Sequence, residues 1–281
     1  MPTELNLEMY SEKEVLLPYF TGYISRGLLL HMLQQVDPTV SQRLHEPNVM
    51  KPYSVTPLYF RSRGKTGQGY LLDPTNPCRV KIRFLEERYV RNVVEYFSKK
   101  NVVMVFDTTL HIASIGIKSK DYAELWEEAR PVEAFKLYFN TPTYLASLGA
   151  GFYYLFPEPQ KIFLNLMRLW NLYTTTQKYT VDEVKEYKAW LIKNMGVTGH
   201  ELRTMLVYMG KKKAIGFLGW IIYRMKKEDE WNKTTCMLAR FAEYSGIGGN
   251  RTGGFGVTKF TPKRENSRTN AHATVELSET L

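Results

Sequence analysis

The sequence predicts an α+β fold in which two βαββαβ units, each of the ferredoxin-like type, follow one another along the chain. Three observations predict it. Strand-like and helix-like periodicities occur in that order twice within 281 residues. A polar stretch that ends at Pro131 separates the two occurrences. A glycine-rich segment precedes the last predicted strand.

Residues 1–126 form the first predicted domain. Alternating polar and apolar residues predict a strand over 3–10, and apolar residues at helical spacing predict a helix over 21–36, which Pro18 precedes and Asp37-Pro38 ends. A short helix over 39–46 follows. The remaining predicted elements are strands over 54–63, 70–72 and 78–84, a helix over 86–100 and a strand-like segment over 101–118.

Residues 131–262 form the second predicted domain, which contains the glycine-rich loop. Its elements are a strand over 132–140, helices over 158–173 and 181–194, a hairpin of 201–209 with 214–225, a helix over 228–244 and a strand over 255–261. The two halves share an order of elements but no residue-level repeat. Residues 263–281 are polar and are predicted to be a flexible tail.

The charge balance favours a polyanionic partner. Thirty-eight Lys and Arg residues against 28 Asp and Glu residues give a formal charge of +10. The sheet of the ferredoxin-like fold is also the scaffold of the RNA recognition motif, so RNA is one such partner. A soluble protein that is basic without any such partner is the alternative. Two cysteines and the absence of a signal-like segment or a long apolar run predict a cytoplasmic protein that does not contact a membrane.

The segment from Ser245 to Gly256 contains six glycines. A dinucleotide-binding loop needs a strand before it and a helix after it, and here the order is reversed. We expect the loop to bring backbone N–H groups close to phosphates or bases, with Arg251 as a charge and Phe255 as a stacking face. In the alternative, the first glycine caps the helix and the rest is a turn. The candidate RNA-binding glycines are Gly246, Gly248, Gly249, Gly254 and Gly256.

Basic residues cluster at the tips and ends of predicted strands. Lys211, Lys212 and Lys213 form the turn of the predicted hairpin, and Arg224 lies near its far end. Such clusters provide a track for a phosphate backbone if they share one face. Solvated strand ends are the alternative explanation.

The candidate catalytic residues are histidines, because the sequence has no HExxH motif, close cysteine pair, carboxylate cluster, GxSxG motif or nucleoside-triphosphate signature. We therefore predict no metal and no cofactor. Histidine is the usual acid or base near neutral pH. His31 lies on the first predicted helix and His45 ends the second. A hydrogen-bonded helix-edge residue and a C-terminal capping cation are the alternative roles of these two side chains.

Two motifs resemble a known family. The pattern GxGxxxxxGxG is formed by Gly246, Gly248, Gly254 and Gly256, between the last helix and the last strand. The N-terminal run has Pro18 before the first helix, Asp37-Pro38 after it, Leu44-His45-Glu46, and Lys51 six residues beyond the histidine. Together these motifs resemble the CRISPR-associated repeat-RNA endoribonucleases, the sixth Cas protein family of the RAMP superfamily, and are most similar to its archaeal members. The resemblance covers essentially residues 1–262.

The resemblance implies metal-independent cleavage of precursor CRISPR RNA within each repeat, by attack of a ribose 2′-hydroxyl that leaves a 2′,3′-cyclic phosphate and a 5′-hydroxyl. It implies catalytic roles for His45 and Lys51. Relatives with this pattern carry a tyrosine on the first helix, where this chain has Leu30 followed by His31, which makes His31 a further candidate base.

The implied partner is CRISPR repeat RNA, single-stranded or hairpin. A homodimer and membership of a Cas effector complex both stay open. Two alternatives from other classes are a non-catalytic carrier of repeat RNA with the same fold and a protein-binding subunit of an effector complex.

Overall fold

The computed structural model of the chain describes residues 1–47, 49–146, 151–209 and 212–263. Lys211 and residues 264–281, which contain most of the predicted tail, lie outside this part. The elements of the N-terminal half are, in order, β1 Thr3–Ser11, β2 Val15–Leu17, α1 Gly22–Val36, α2 Pro38–His45, β3 Tyr53–Val55, β4 Ser62–Lys65, β5 Tyr70–Leu72, β6 Cys78–Phe84, α3 Arg88–Lys99, β7 Val102–Val105, β8 Thr108–Ser119 and α4 Tyr122–Glu127.

The C-terminal half has three helices that pack on a second sheet. Its elements are, in order, β9 Ala134–Thr143, β10 Leu145–Ala146, β11 Tyr153–Tyr154, α5 Pro159–Tyr173, α6 Val181–Asn194, β12 Met195–Met209, β13 Lys212–Met225, α7 Glu230–Ser245, a 3₁₀ turn Arg251–Gly253 and β14 Thr258–Lys263. Lys263, predicted to begin the tail, is the last residue of β14.

Both main sheets have the strand order of a ferredoxin-like fold. The N-terminal sheet has the order β3-β6-β1-β8-β7, in which β7 is an added edge strand, and the C-terminal sheet has the order β12-β13-β9-β14. In each sheet the first strand of the βαββαβ unit lies between the third and the fourth. The predicted α+β fold with two tandem ferredoxin-like units is confirmed. The domain limits at 1–126 and 131–262 stay predictions.

Two predicted strands are wrong in extent. The segment 54–63 is divided between β3, which pairs with β6, and β4, which belongs to a separate sheet of order β2-β5-β4. Pro57 lies between them and has no N–H to donate to a sheet ladder. The segment 101–118 is a hairpin of β7 and β8. Its turn contains Phe106 at φ 52°, and phenylalanine gives no turn signal in a sequence.

The core of the C-terminal half follows the alternation of side chains along β9. Phe135, Leu137 and Phe139 are at most 1% exposed and pack in one cluster with side chains of α5 and α7. Lys136 and Tyr138 lie on the opposite face and are half-buried. Among the described residues, no helix combines the length and the apolar character that crossing a membrane requires.

Candidate active site

The end of α2 presents His45 to solvent. Asp37 begins this helix, because its carboxylate accepts hydrogen bonds from the N–H groups of Thr39 and Val40. The Ser41 hydroxyl donates to the carbonyl oxygen of Leu30 at 3.1 Å, which ties α2 to α1. Leu44 is 1% exposed and anchors the last turn, while His45 beside it is exposed. The histidine is therefore a solvent-accessible ring at a helix end that Leu44 and Ser41 anchor.

A pocket of about 510 Å³ unites this helix end with the glycine-rich loop. Five segments form its walls: α1, the end of α2 with the residues that follow it, α5, the start of β13, and the loop before β14. Its lining residues are Arg26, His45, Glu46, Pro47, Val49, Met50, Lys51, Asn165, Leu169, Lys212, Gly248, Asn250, Arg251 and Thr252. His45 and Lys51, which the resemblance implies as catalytic, thus line one cavity.

Lys51 is held at the pocket wall by a hydrogen bond from its Nζ to the carbonyl oxygen of Glu46. Partial burial lowers the pKa of Lys51, and the nearby Arg26 guanidinium lowers it further, although the Glu46 carboxylate acts in the opposite direction. Burial disfavours the charged form of any side chain, and the charge of Arg26 disfavours a second positive charge beside it. The ammonium therefore loses its proton more readily than that of a free lysine.

Arg251 connects the glycine-rich loop to the segment that carries Lys51. The side chain is 7% exposed. Nη1 donates to the carbonyl oxygen of Ser245 at 2.6 Å, and Nη2 donates to the carbonyl oxygen of Lys51 at 3.1 Å. Burial lowers the pKa of Arg251 to about 10, against the favourable effect of Tyr173 and Tyr53. Arg251 therefore positions the backbone of Lys51.

The loop docks against the first turn of α1. A Cβ atom on Gly22 would lie 2.0 Å from the carbonyl oxygen of Gly253, and a Cβ atom on Gly254 would lie 2.8 Å from the Cα of Gly22. Gly254 also has φ +83°, a conformation that only glycine adopts readily. Asn250, at φ 54°, donates from Nδ2 to the Tyr23 hydroxyl at 3.3 Å. The two halves meet here without space for a side chain.

Four of the five candidate RNA-binding glycines use their N–H groups in hydrogen bonds within the protein. Gly246, Gly254 and Gly256 are buried, and their N–H groups donate to the carbonyl oxygens of Ala242, Arg251 and Pro142. Gly249 is half-buried and donates to Tyr144. Gly248 is half-buried and lines the pocket. The RNA-binding role predicted for these glycines stays a prediction, with Gly248 the one that lines the pocket.

Phe255 is not a stacking face, which corrects an expectation. Its side chain is 0% exposed and contacts the ring of Phe20, with ring centroids 5.1 Å apart, and that of Tyr144, at 5.7 Å. The docking of the loop on α1 instead encloses this ring between the two halves.

The predicted basic residues of the hairpin lie at its two ends. Lys212 lines the pocket, and Lys213 is exposed with Nζ 5.4 Å from the centroid of the Tyr208 ring. Arg224 lies near the opposite end and forms an ion pair with Glu133. The structure therefore places Lys212 and Lys213, but not Arg224, at the pocket end of the hairpin.

His31 does not line this pocket. A neighbouring open depression between α1 and α2 contains both His31 and His45. His31 is five positions after Arg26, so its side chain is rotated about 140° around the helix axis from that of Arg26. Leu30, at the position of the relatives' tyrosine, packs against the N-terminal core.

The sequence reasoning missed Arg26. Its guanidinium lines the pocket, and among the described residues Arg26 Nε has no hydrogen-bond partner. The guanidinium lies close enough to the Tyr53 hydroxyl to oppose the rise that burial causes in the pKa of that tyrosine. The apolar spacing that predicts α1 gives no signal that marks Arg26 as a site residue. Asn250 and Thr252 were also missed, although both lie within the glycine-rich motif from Gly246 to Gly256. Within the described ranges, no group of three or more His, Cys, Asp and Glu side chains is arranged to hold a metal ion.

The strand orders and the tandem arrangement define a protein of the class with two tandem ferredoxin-like folds. Residues 1–131 match the family model of the CRISPR Cas6 N-terminal domain, and residues 137–258 match that of the CRISPR-associated endoribonuclease Cas6. The chain belongs to the Cas6 family.

Relatives and solved structures agree with this placement. A CRISPR-associated endoribonuclease Cas6 of Streptococcus thermophilus is 25% identical over 131 residues, 47% of this chain and 52% of that protein, so the match spans about half the length of this curated relative. A product complex of Thermus thermophilus Cas6 has a TM-score of 0.77 at 24% identity, covering 93% of this chain and 100% of that one. The product of a Cas6-related gene from Pyrococcus furiosus has a TM-score of 0.62 at 13% identity, covering 94% and 100%.

Proposed function

We propose that this protein is a metal-independent endoribonuclease that cleaves CRISPR repeat RNA in the cytoplasm and leaves a 2′,3′-cyclic phosphate and a 5′-hydroxyl. One observation carries the proposal: a single pocket contains the exposed His45, Lys51 with its lowered pKa, and Arg26, whose Nε has no partner in the described part of the chain. The family to which the chain belongs and the name of its Streptococcus relative support the substrate class.

The reaction needs a base, an acid and positive charge. We assign the base to His45, which takes the proton of the ribose 2′-hydroxyl as that oxygen attacks the adjacent phosphorus. The bond from phosphorus to the 5′-oxygen then breaks, and the leaving oxygen takes a proton from the Lys51 ammonium. The His45 imidazolium and the neutral Lys51 amine exchange protons with water afterwards.

Arg26 and Lys51 provide the charge that the phosphorane requires. Positive groups aimed at the place where negative charge develops are the largest single contribution in many enzymes. A phosphate oxygen in the pocket would be an acceptor for Arg26 Nε, which has none among the described residues. The lowered pKa of Lys51 also suits an acid, because proton transfer is most effective when the pKa lies nearer the working pH.

The test is cleavage of CRISPR-repeat RNA from the source of this protein, in excess EDTA, with mapping of both product ends. His45→Ala should lower the single-turnover rate about 10²- to 10⁴-fold, the usual contribution of a general acid or base. His31→Ala is the matched control, since this exposed histidine lies outside the pocket, and it should retain most of the rate.

Cleavage by His45→Ala at the wild-type rate would refute the assignment of this pocket. Tight binding of repeat RNA by the wild-type chain without any cleavage would support the non-catalytic carrier instead. Cleavage that EDTA abolishes would contradict the metal-independent step.

A further inference from the structure

The pocket that contains His45 has two walls of different chemistry. Arg26, His45 and Lys51 line it from the N-terminal half, and each can carry a positive charge. Among the described lining residues, α5 contributes Asn165 and Leu169, and neither is charged. We call Asn165 and Leu169 the α5 wall. Such a pocket suits a ligand that has one anionic part and one uncharged part.

The α5 wall faces the segment that carries Lys51. Asn165, Leu169 and Tyr173 are spaced four residues apart and therefore share one face of the helix. The Tyr173 hydroxyl donates to the carbonyl oxygen of Met50 at 2.5 Å, which holds this face against the residue before Lys51. Leu169 is 1% exposed and packs in the C-terminal core. These contacts fix the backbone that carries Asn165.

Two polar atoms of the pocket lack hydrogen-bond partners in the described part of the chain. Asn165 Oδ1 is buried without a donor, and Arg26 Nε is buried without an acceptor. A buried polar atom without a partner is unfavourable, so a ligand that supplies the missing group is favoured there. The two atoms belong to different walls. The ligand therefore needs an acceptor for Arg26 in its anionic part and a donor for Asn165 in its uncharged part.

A nucleotide carries both groups. Its phosphate oxygens are strong acceptors for a guanidinium, and the edge of its base carries N–H donors. Leu169, Val49 and Met50 give the pocket apolar surface for a flat base. An apolar lining with a few polar groups is usual in small-molecule sites, and the volume of about 510 Å³ lies within their range. The α5 wall thus suits a base, and the charged wall suits its phosphate.

A single buried acceptor distinguishes among the four bases. Adenine and cytosine carry an amino group at the position where guanine and uracil carry a carbonyl oxygen. The amino group donates to Asn165 Oδ1. A carbonyl oxygen at that position would place a second acceptor beside Oδ1 and leave both oxygens without a donor. Asparagine pairs with the amino group of adenine in the same way in protein–DNA complexes.

We infer that Asn165 selects adenine or cytosine in one of the two nucleotides that the scissile phosphate joins, with that phosphate at Arg26 and Lys51. This inference rests on the proposed function, because it concerns the RNA that the pocket of His45 would cleave. The role of Asn165 is to determine specificity, whereas the base, the acid and the positive charge of the reaction come from the charged wall.

The test measures the Kd of the full chain for CRISPR-repeat RNA from its source, made with 2′-fluorine in place of every 2′-hydroxyl so that the proposed reaction has no nucleophile. Each adenosine is replaced in turn by purine riboside, which lacks only the amino group, and each cytidine by its analogue without the amino group. At one position the wild type should lose affinity about 5- to 150-fold, the cost of one buried acceptor without a donor.

Asn165→Leu should bind the unmodified repeat more weakly by the same factor, and it should lose no further affinity when the amino group at that position is removed. Asn165→Asp keeps an acceptor oxygen and should keep the dependence on the amino group, although its negative charge weakens binding of every RNA. Leu172→Ala truncates a 53% exposed side chain of α5 outside the pocket. This control should show the wild-type pattern at every position.

A pattern in Asn165→Leu that is identical to the wild-type pattern at every position would overturn the inference. So would a position that is not adjacent to the mapped cleavage site. No affinity measurement involves cleavage. A chain that shows the pattern but does not cut therefore contradicts the proposed nuclease alone, and a chain that cuts without the pattern contradicts only the role of Asn165.

Discussion

A methyl group on Gly22 should impair the active site while leaving the fold intact. In Gly22→Ala the added Cβ would lie 2.0 Å from the carbonyl oxygen of Gly253. Carbon–oxygen contacts normally begin at about 3.3 Å, so the loop must retreat by about 1.3 Å, the difference between the two distances. Arg251 donates to the Lys51 carbonyl oxygen at 3.1 Å, and the same displacement takes that contact out of hydrogen-bonding range.

The expected loss is about 10²-fold in the single-turnover cleavage rate at saturating RNA, since a misplacement of 1 Å in an active site can cost this much. Gly27→Ala is the matched control on the same helix, because no atom lies within 4 Å of its added Cβ. Alanine there should stabilise the helix by about 1 kcal/mol and leave the rate unchanged. A Gly22→Ala protein that is folded and cleaves like the wild type would refute the role of this close contact.

Three further predictions concern charge. In Lys51→Arg the alkaline limb of the pH–rate profile should move to higher pH. Burial and Arg26 lower the pKa of Lys51 from its ordinary 10.5, whereas an arginine keeps its proton to higher pH. An alkaline limb at the wild-type pH argues against Lys51 as the acid. Replacing Lys212 and Lys213 by alanine should reduce the slope of log Kd against log salt by about 1.4, for two contacts to single-stranded phosphates, and an unchanged slope removes them from the RNA path. Arg251→Met should lower the free energy of unfolding in guanidinium by about 1–3 kcal/mol for each carbonyl oxygen left without a donor, whereas an unchanged midpoint shows that water replaces the side chain.

The order of elements could be predicted because it depends on local periodicity. The apolar spacing of α1 and the alternation of β1 are visible in the sequence, and each element buries the face that its pattern marks. The hairpin of β7 and β8 could not be predicted as two strands, because Phe106 adopts a left-handed conformation that its residue type disfavours.

The pocket could be predicted only in part. His45 and Lys51 are six residues apart, and the resemblance linked them before the fold was known. Arg26 and Asn250 reach the same cavity through docking of the two halves, which no local pattern records. Phe255 was misjudged for the same reason, since its burial between Phe20 and Tyr144 is a tertiary contact of residues more than 100 positions apart.

The hydrogen bond from Arg251 to the Lys51 carbonyl has a consequence for the timing of activity in the cell. It joins two residues 200 positions apart, so His45 and Lys51 leave the ribosome long before the loop that completes their pocket. At about 5–20 residues per second of synthesis, that interval is about 10–40 seconds. During this interval the nascent chain already carries the charges of its first sheet, but its pocket lacks the loop that holds Arg251. Under the proposed function, no cleavage precedes synthesis of the loop that holds Arg251.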